Sequence, residues 1–409
     1  MTHTQKIGAA VLTATVVVGV TLDLTGTQLG VPHPPFIGAW NPRIHPLAAI
    51  AIPLFAVAVL LVKPLLQARA FAPALFALTL LLRVALSVAR GGPHRLDHAL
   101  DLAGEGKNEY LPSLAAFDYG PHFVLDRFAE LVPALPVHSA GHPPGLLLTM
   151  HFLGLDTAPK LAAFIIVVGA LSAPLTYVLA RQLTDERTAR IAGLLATFAP
   201  ALLHYGATSA DAVYLTLGLA AAIGLMSTRP WLGAAILAVV SLFAWSLLAI
   251  GAWAAILTLA RDGLKPALKL AALIAAALVA FHVAFALATG FDPLGTLHAT
   301  SRVYELGIAS RRPYAYWLFG SPTAFLLILG VPITWLALAQ RTPEAIAIAA
   351  VIAISALLGF TKAETERIWL FYAPFVILAA APLVRRPQLV VALLAAQAVV
   401  YELLFDTLW

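Results

Sequence analysis

The sequence has no cysteine. Disulfides, thiolate metal sites and cysteine nucleophiles are therefore excluded, while the compartment is left open. Charge is also scarce: 11% of the 409 residues are Asp, Glu, Lys or Arg, against roughly a quarter in a typical soluble chain. There are no heptads, low-complexity tracts or solenoid periods. What remains is apolar: 61% of residues are hydrophobic and the mean hydropathy is +0.90. These residues come in long unstriped blocks of the length a bilayer core requires of a helix, about 17 to 25 residues. The sequence predicts an all-α polytopic membrane protein folded as one domain over 1–409.

Hydropathy places thirteen spans near 7–23, 46–62, 70–89, 160–180, 189–206, 212–227, 231–245, 247–260, 267–289, 319–339, 344–361, 368–384 and 387–404. FAWS and Arg261 favour a short hairpin over 231–260. The N-terminal MTHTQK and its apolar run read as an uncleaved first span. Placing Lys6 in the cytoplasm puts Lys63, Arg69, Arg181, Arg187, Arg190, Arg229, Arg261, Lys265, Lys269, Arg341, Arg385 and Arg386 there too. This orients the N-terminus inwards and the C-terminus outwards, provided residues 143–155 do not cross. The prolines of AGHPPGLLLTM (140–150) deny a regular helix its donors, so 143–155 is expected to be a half-span or an interfacial helix. The net charge of +5 lies in scattered loop residues, which argues for topology determinants and against nucleic acid. Little Lys beside abundant Ala, Leu and Val suggests a GC-rich bacterium.

The long polar loop, 90–141, carries Asp97, Asp101, Glu105, Glu109, Asp118, Asp126 and Glu130. Within it FVLDRFAELVPAL has the spacing of an interfacial amphipathic helix. Two further segments concentrate ionisable groups, HATSRVYELGIASRRPYAYWLFGSP (298–322) and TKAETERIWLF (361–371), and Asp211 is a lone acid at the start of a span. Charge at a membrane is costly and points to function. Each group also has a plain structural reading. Arg311 and Arg312 would serve as interfacial anchors, Glu364, Glu366 and Arg367 as an ion pair tying two spans, and His142 as a helix cap. Arg83 would snorkel or pair with an acid. The functional reading takes a carboxylate as general base on a hydroxyl, with arginines and Lys362 holding a phosphate. Tyr314, Tyr316 and Trp317 suit an interface or a sugar face.

This order of motifs resembles the GT-C class of integral membrane glycosyltransferases, which includes protein O-mannosyltransferases, lipid A aminoarabinose transferase and actinobacterial mannosyl- and arabinosyltransferases. Asn108-Glu109-Tyr110 precedes His142-Pro143-Pro144 at the class spacing. LTYVLARQLTDERTAR, the span rising to Asp211, and Glu364 to Trp369 follow in order. The resemblance covers most of 70–375. Two spans, within 1–69, precede the one that should open the fold, and Asn108-Glu109 replaces the usual paired acid, with Asp97 and Asp101 as reserve bases.

The resemblance implies a GT-C fold, a polyprenyl-phosphate sugar donor and inverting transfer. The acceptor would be a hydroxyl on a glycolipid, polysaccharide or protein at the outer face of a bacterial plasma membrane. Glu109 and Asp211 would be catalytic. Arg311, Arg312, Arg367 and Lys362 would hold the donor phosphate, with Asn108, Tyr110, His142, Glu364, Glu366 and Tyr314 in support. No metal or cofactor is expected, and membrane lipids are a further partner. The sugar leans to mannose. A transporter or lipid flippase is the competing class, against which stand the lack of an internal repeat and the placing of polar residues at the outer level.

Overall fold

The first helix, His3–Leu24, starts where a capping box satisfies its free donors: Thr2 Oγ1 accepts from Gln5 N, and the Gln5 side chain accepts from Thr2 N. Such local rules produce helices along nearly the whole chain. A computed structural model describes residues 1–409 and is 78% helical, with 23 α-helices. The only sheet is two residues deep, Ala39–Trp40 antiparallel to Phe405–Asp406.

Five helices are long and apolar enough to cross a membrane: His3–Leu24, Phe71–Gly91, Ala158–Leu183, Leu264–Thr289 and Pro387–Leu404. Seven result if two bent pairs each make one span. The expected thirteen are therefore corrected, although a helix lies in every predicted segment. Glu186–Phe198 and Pro200–Thr208 meet at 57°, and Tyr314–Leu329 and Val331–Ala337 at 113°, where Pro200 and the Gly330–Pro332 corner remove backbone donors. Others are too short. Pro230–Val240, Asp211–Leu225 and Pro343–Leu358 have 11, 15 and 16 residues, or roughly 16 to 24 Å at about 1.5 Å per residue, against about 30 Å of hydrocarbon. The long apolar helices nonetheless mark a multi-pass membrane protein.

The chain forms two compact units. The first comprises Met1–Leu96, Ile165–Leu219 and Arg311–Trp409. At its core lies Glu186–Phe198, buried without interruption from Ile191 to Phe198 and packed by Phe71–Gly91, Ser172–Leu183, Ala373–Ala380 and Pro387–Leu404. Arg83, on Phe71–Gly91, neither snorkels nor meets an acid. It is fully buried, with Nη1 donating to Gly206 O at 3.0 Å and Nη2 to Ser172 Oγ at 2.9 Å. Gly206 O is one of the open carbonyls at the end of Pro200–Thr208, which a cation favours.

The second unit comprises Asp97–Phe164 and Ala220–Ser310. Its long helix, Leu264–Thr289, packs on Pro230–Val240 and Leu248–Asp262, the hairpin expected around FAWS. The expected single amphipathic helix in FVLDRFAELVPAL is instead broken at Arg127 into short turns. Val124, Leu125, Phe128 and Val132 face inwards, while Asp126, Arg127 and Glu130 are exposed. After HPPG comes Gly145–Leu153, nine residues or roughly 13 Å, too short to span, as the charge pattern required. Gly145 N donates to Leu242 O at 2.7 Å. A Cβ there would lie 2.5 Å from the same oxygen, so only glycine permits the contact.

Candidate functional site

Two groups of ionisable residues emerge, one in each unit. In the first unit a hairpin between Pro343–Leu358 and Ala373–Ala380 contains TKAETERIW. Ala363 and Glu364 both have positive φ, 64° and 56°, a conformation that costs non-glycine residues about 1–2 kcal/mol each. The turn is held by Thr365 Oγ1, which donates to Ser321 O on Tyr314–Leu329 at 2.6 Å, and by Trp369 Nε1, which donates to Thr361 Oγ1 at 2.8 Å. The turn aims Glu364 at two arginines. One oxygen accepts from Arg312 Nη2, and the other from Arg367 Nη2 at 2.9 Å. Arg367 Nη1 reaches Asp211 Oδ2 at 2.7 Å, an oxygen that also accepts from Ser209 Oγ at 2.6 Å. Arg312 Nη1 donates to the Lys362 carbonyl at 2.7 Å. Asp211 begins its helix, where the dipole favours an anion.

All four charged side chains are buried. Burial alone would raise the Glu364 carboxyl, but Arg367 and Arg312 hold it down to about 2. Two residues on, Glu366 has the opposite environment. Burial pushes it up to about 7, and neighbouring Glu364 adds to this, against the Ile37 N–H, which donates to Oε1 at 2.7 Å.

The expected residues divide between these surroundings. Arg312 is buried and paired, which corrects the anchor reading, whereas Arg311 is exposed. Lys362 is half-buried, and Tyr314 is exposed with its hydroxyl on Leu357 O at 2.7 Å. Tyr316 and Trp317 pack against Leu29, with Trp317 Nε1 on the Leu29 carbonyl at 3.0 Å, so neither presents a face to a sugar.

In the second unit Glu109 is buried, with Oε1 3.6 Å from His138 Nε2. Tyr110 Oη lies 3.2 Å from His142 Nδ1, which is 2.9 Å from His138 O. His142 thus ties the loop to Tyr110 and does not cap the helix after HPPG. Asn108 turns away to Glu105, Nδ2 to Oε1 at 3.1 Å. Of the reserve acids, Asp97 is half-buried and Asp101 exposed, capping Ala103 N.

Sequence reasoning missed several groups in the first unit. His204 Nδ1 and Glu402 Oε2 form a buried pair at 2.9 Å. Arg90 and Arg95 both approach Asp406 at 3.4 Å. The Trp409 ring lies 4.1 Å from the Arg367 guanidinium carbon, a cation–π contact. His204 and Glu402 were visible as polar residues inside apolar runs. His138 in the second unit carried no signal beyond its residue type. No protein-family model matches the chain, and no curated protein matches it.

Proposed function

We propose that this protein is a GT-C-type membrane glycosyltransferase that moves a sugar, with mannose the first candidate, from a polyprenyl-phosphate donor to a hydroxyl acceptor, with inversion. In this reading the N-terminus is cytoplasmic, and the C-terminus and active site are extracytoplasmic in a bacterial plasma membrane. The observation that carries it is the buried Asp211–Arg367–Glu364–Arg312 array. Its carboxylates pre-orient two guanidinium groups without using every donor: Arg312 Nε is buried with no partner. A buried unpaired N–H costs free energy that an incoming phosphate oxygen would offset, and arginine suits phosphate geometry. Arg311 and Lys362 would meet the donor less directly. Glu109 remains the candidate base on the resemblance, supported by its burial beside His138.

A transporter or flippase is the second reading, and the two bent helix pairs favour it. Purified protein in nanodiscs, given labelled polyprenyl-phosphate sugars, separates the two. Transfer predicts sugar release, to an acceptor or slowly to water, that is lost in Glu109→Gln. Movement of an intact ligand between liposome leaflets, with no bond broken, would sink the transferase reading.

A further inference from the structure

Glu364 and Glu366 are two residues apart on one strained hairpin, yet their partners differ in kind. Glu364 is held by two guanidinium groups. Glu366, with no accessible surface, takes the Ile37 N–H on Oε1, and its Oε2 is buried with no hydrogen-bond partner. Nearby, the hydroxyls of Tyr205 and Tyr401 are buried with no partner beyond each other, close enough for a Glu366 charge to act on both. Behind them lies the His204–Glu402 pair, whose imidazole is 5.0 Å from the Tyr401 ring. Unpartnered buried polar atoms are rare in native proteins. Here the unpartnered Glu366 oxygen and the two phenols converge from three separate segments of the first unit. Two carboxyls whose surroundings drive their proton affinities apart mark an acid and its fixed counterpart.

We propose that Glu366 is a proton-exchange site and, if the cluster binds a lipid phosphate as read above, the general acid that protonates the departing phosphate. The groups acting on Glu366 directly are Tyr205 on Pro200–Thr208, Tyr401 on Pro387–Leu404, and Glu364 and Arg367 on its own hairpin. Arg312 is hydrogen-bonded to Glu364. In the transfer the anomeric C–O bond to phosphate breaks, and its electron pair stays on the phosphate oxygen. The acceptor oxygen forms the new C–O bond and yields its proton to the base. The proton of Glu366 passes to the phosphate, so the lipid leaves as a monoprotonated phosphate, and the Glu366 carboxylate, with no surface of its own, regains a proton from solvent by way of the neighbouring Tyr205 and Tyr401 hydroxyls. At neutral pH a carboxyl raised to about 7 is poised for this exchange.

The test is infrared titration of the full-length protein in nanodiscs, run beside the labelled-donor assay, for the parent, Glu366→Gln and Tyr401→Phe. The glutamine retains an acceptor for the Ile37 N–H. The parent should show a protonated-carboxyl stretch lost with a midpoint near neutral pH and absent from Glu366→Gln. Tyr401→Phe, which keeps the carboxyl, should retain the band but move its midpoint by about half a unit or more. Turnover of Glu366→Gln should fall about 10²- to 10⁴-fold, with donor binding within about threefold of the parent. Identical titrations in the parent and Glu366→Gln would overturn the proposal whatever the transfer assay gives. A band that titrates while Glu366→Gln turns over like the parent would overturn the acid role. A band that titrates in a parent inert toward every labelled donor would support the proton site and sink the glycosyltransferase reading.

Discussion

The two units stabilise their ionisable groups differently. In the first, charge meets charge: Asp211, Arg367, Glu364 and Arg312 form a continuous buried chain, and Arg90 and Arg95 share Asp406. In the second, Glu109 has an imidazole at 3.6 Å, and Tyr110 Oη and His142 Nδ1 lie 3.2 Å apart. A buried ion pair brings a desolvation cost, so removing one partner strands the other. Polar contacts without formal charge contribute less and cost less to lose. The first unit's array should therefore be demanding to assemble and intolerant of single changes, and the second unit's group tolerant in stability even where it is sensitive in chemistry.

The largest test of this contrast is Arg367→Ala, which leaves Asp211 without its arginine and deprives Glu364 of one of two. It should destabilise the protein by about 3–5 kcal/mol, whereas Glu109→Gln should change stability by about 1 kcal/mol or less. Thermal unfolding in detergent compares the two directly, and equal losses would end the distinction.

A second effect, of smaller size, is confined to the first unit. An acid whose proton affinity is raised on folding stabilises the fold fully below its unfolded value, here the ordinary 4.5, and forfeits that stability as pH climbs through the folded value of about 7. Glu366 should thus weaken the fold between those limits, by at most about 3 kcal/mol. Glu364 works in the other direction: its contribution is present above 4.5 and fades as pH falls towards about 2. Unfolding midpoints followed from pH 5 to 8 should decline in the parent and flatten in Glu366→Gln. A parallel decline in the variant would assign the effect elsewhere.

The smallest perturbation sharpens the picture of the second unit. With no native cysteine to interfere, Asp118→Cys and Lys265→Cys, both exposed positions, should be silent in stability. In intact cells an impermeant maleimide should label the first and spare the second. The reverse pattern would invert the proposed topology.

Much of the architecture was legible because hydropathy, caps and prolines act over a few residues. Helix is found in every segment where a span was expected, though Pro293–Leu306 is a helix that was not expected, and HPPG announced a short helix that Leu242 O can meet only through Gly145. The span count was not legible. An apolar run reports its composition, but whether it stays straight for 30 Å depends on a proline or glycine corner and on what packs beside it, as the 57° and 113° bends show.

The site divides in the same way. Sequence alone determined that this is a helical membrane protein and that 298–322, 361–371 and Asp211 carry charges a bilayer would otherwise reject. Tertiary structure decided the pairing: Arg367 reaches an aspartate 156 residues away, and Arg312 a glutamate 52 residues away. It also separated Glu364 from Glu366, whose spacing in TKAETERIW gives no hint that one faces two arginines and the other two phenols. Proton affinity depends on the charges and solvent within a few ångströms, and in a folded chain those neighbours come from segments remote in sequence.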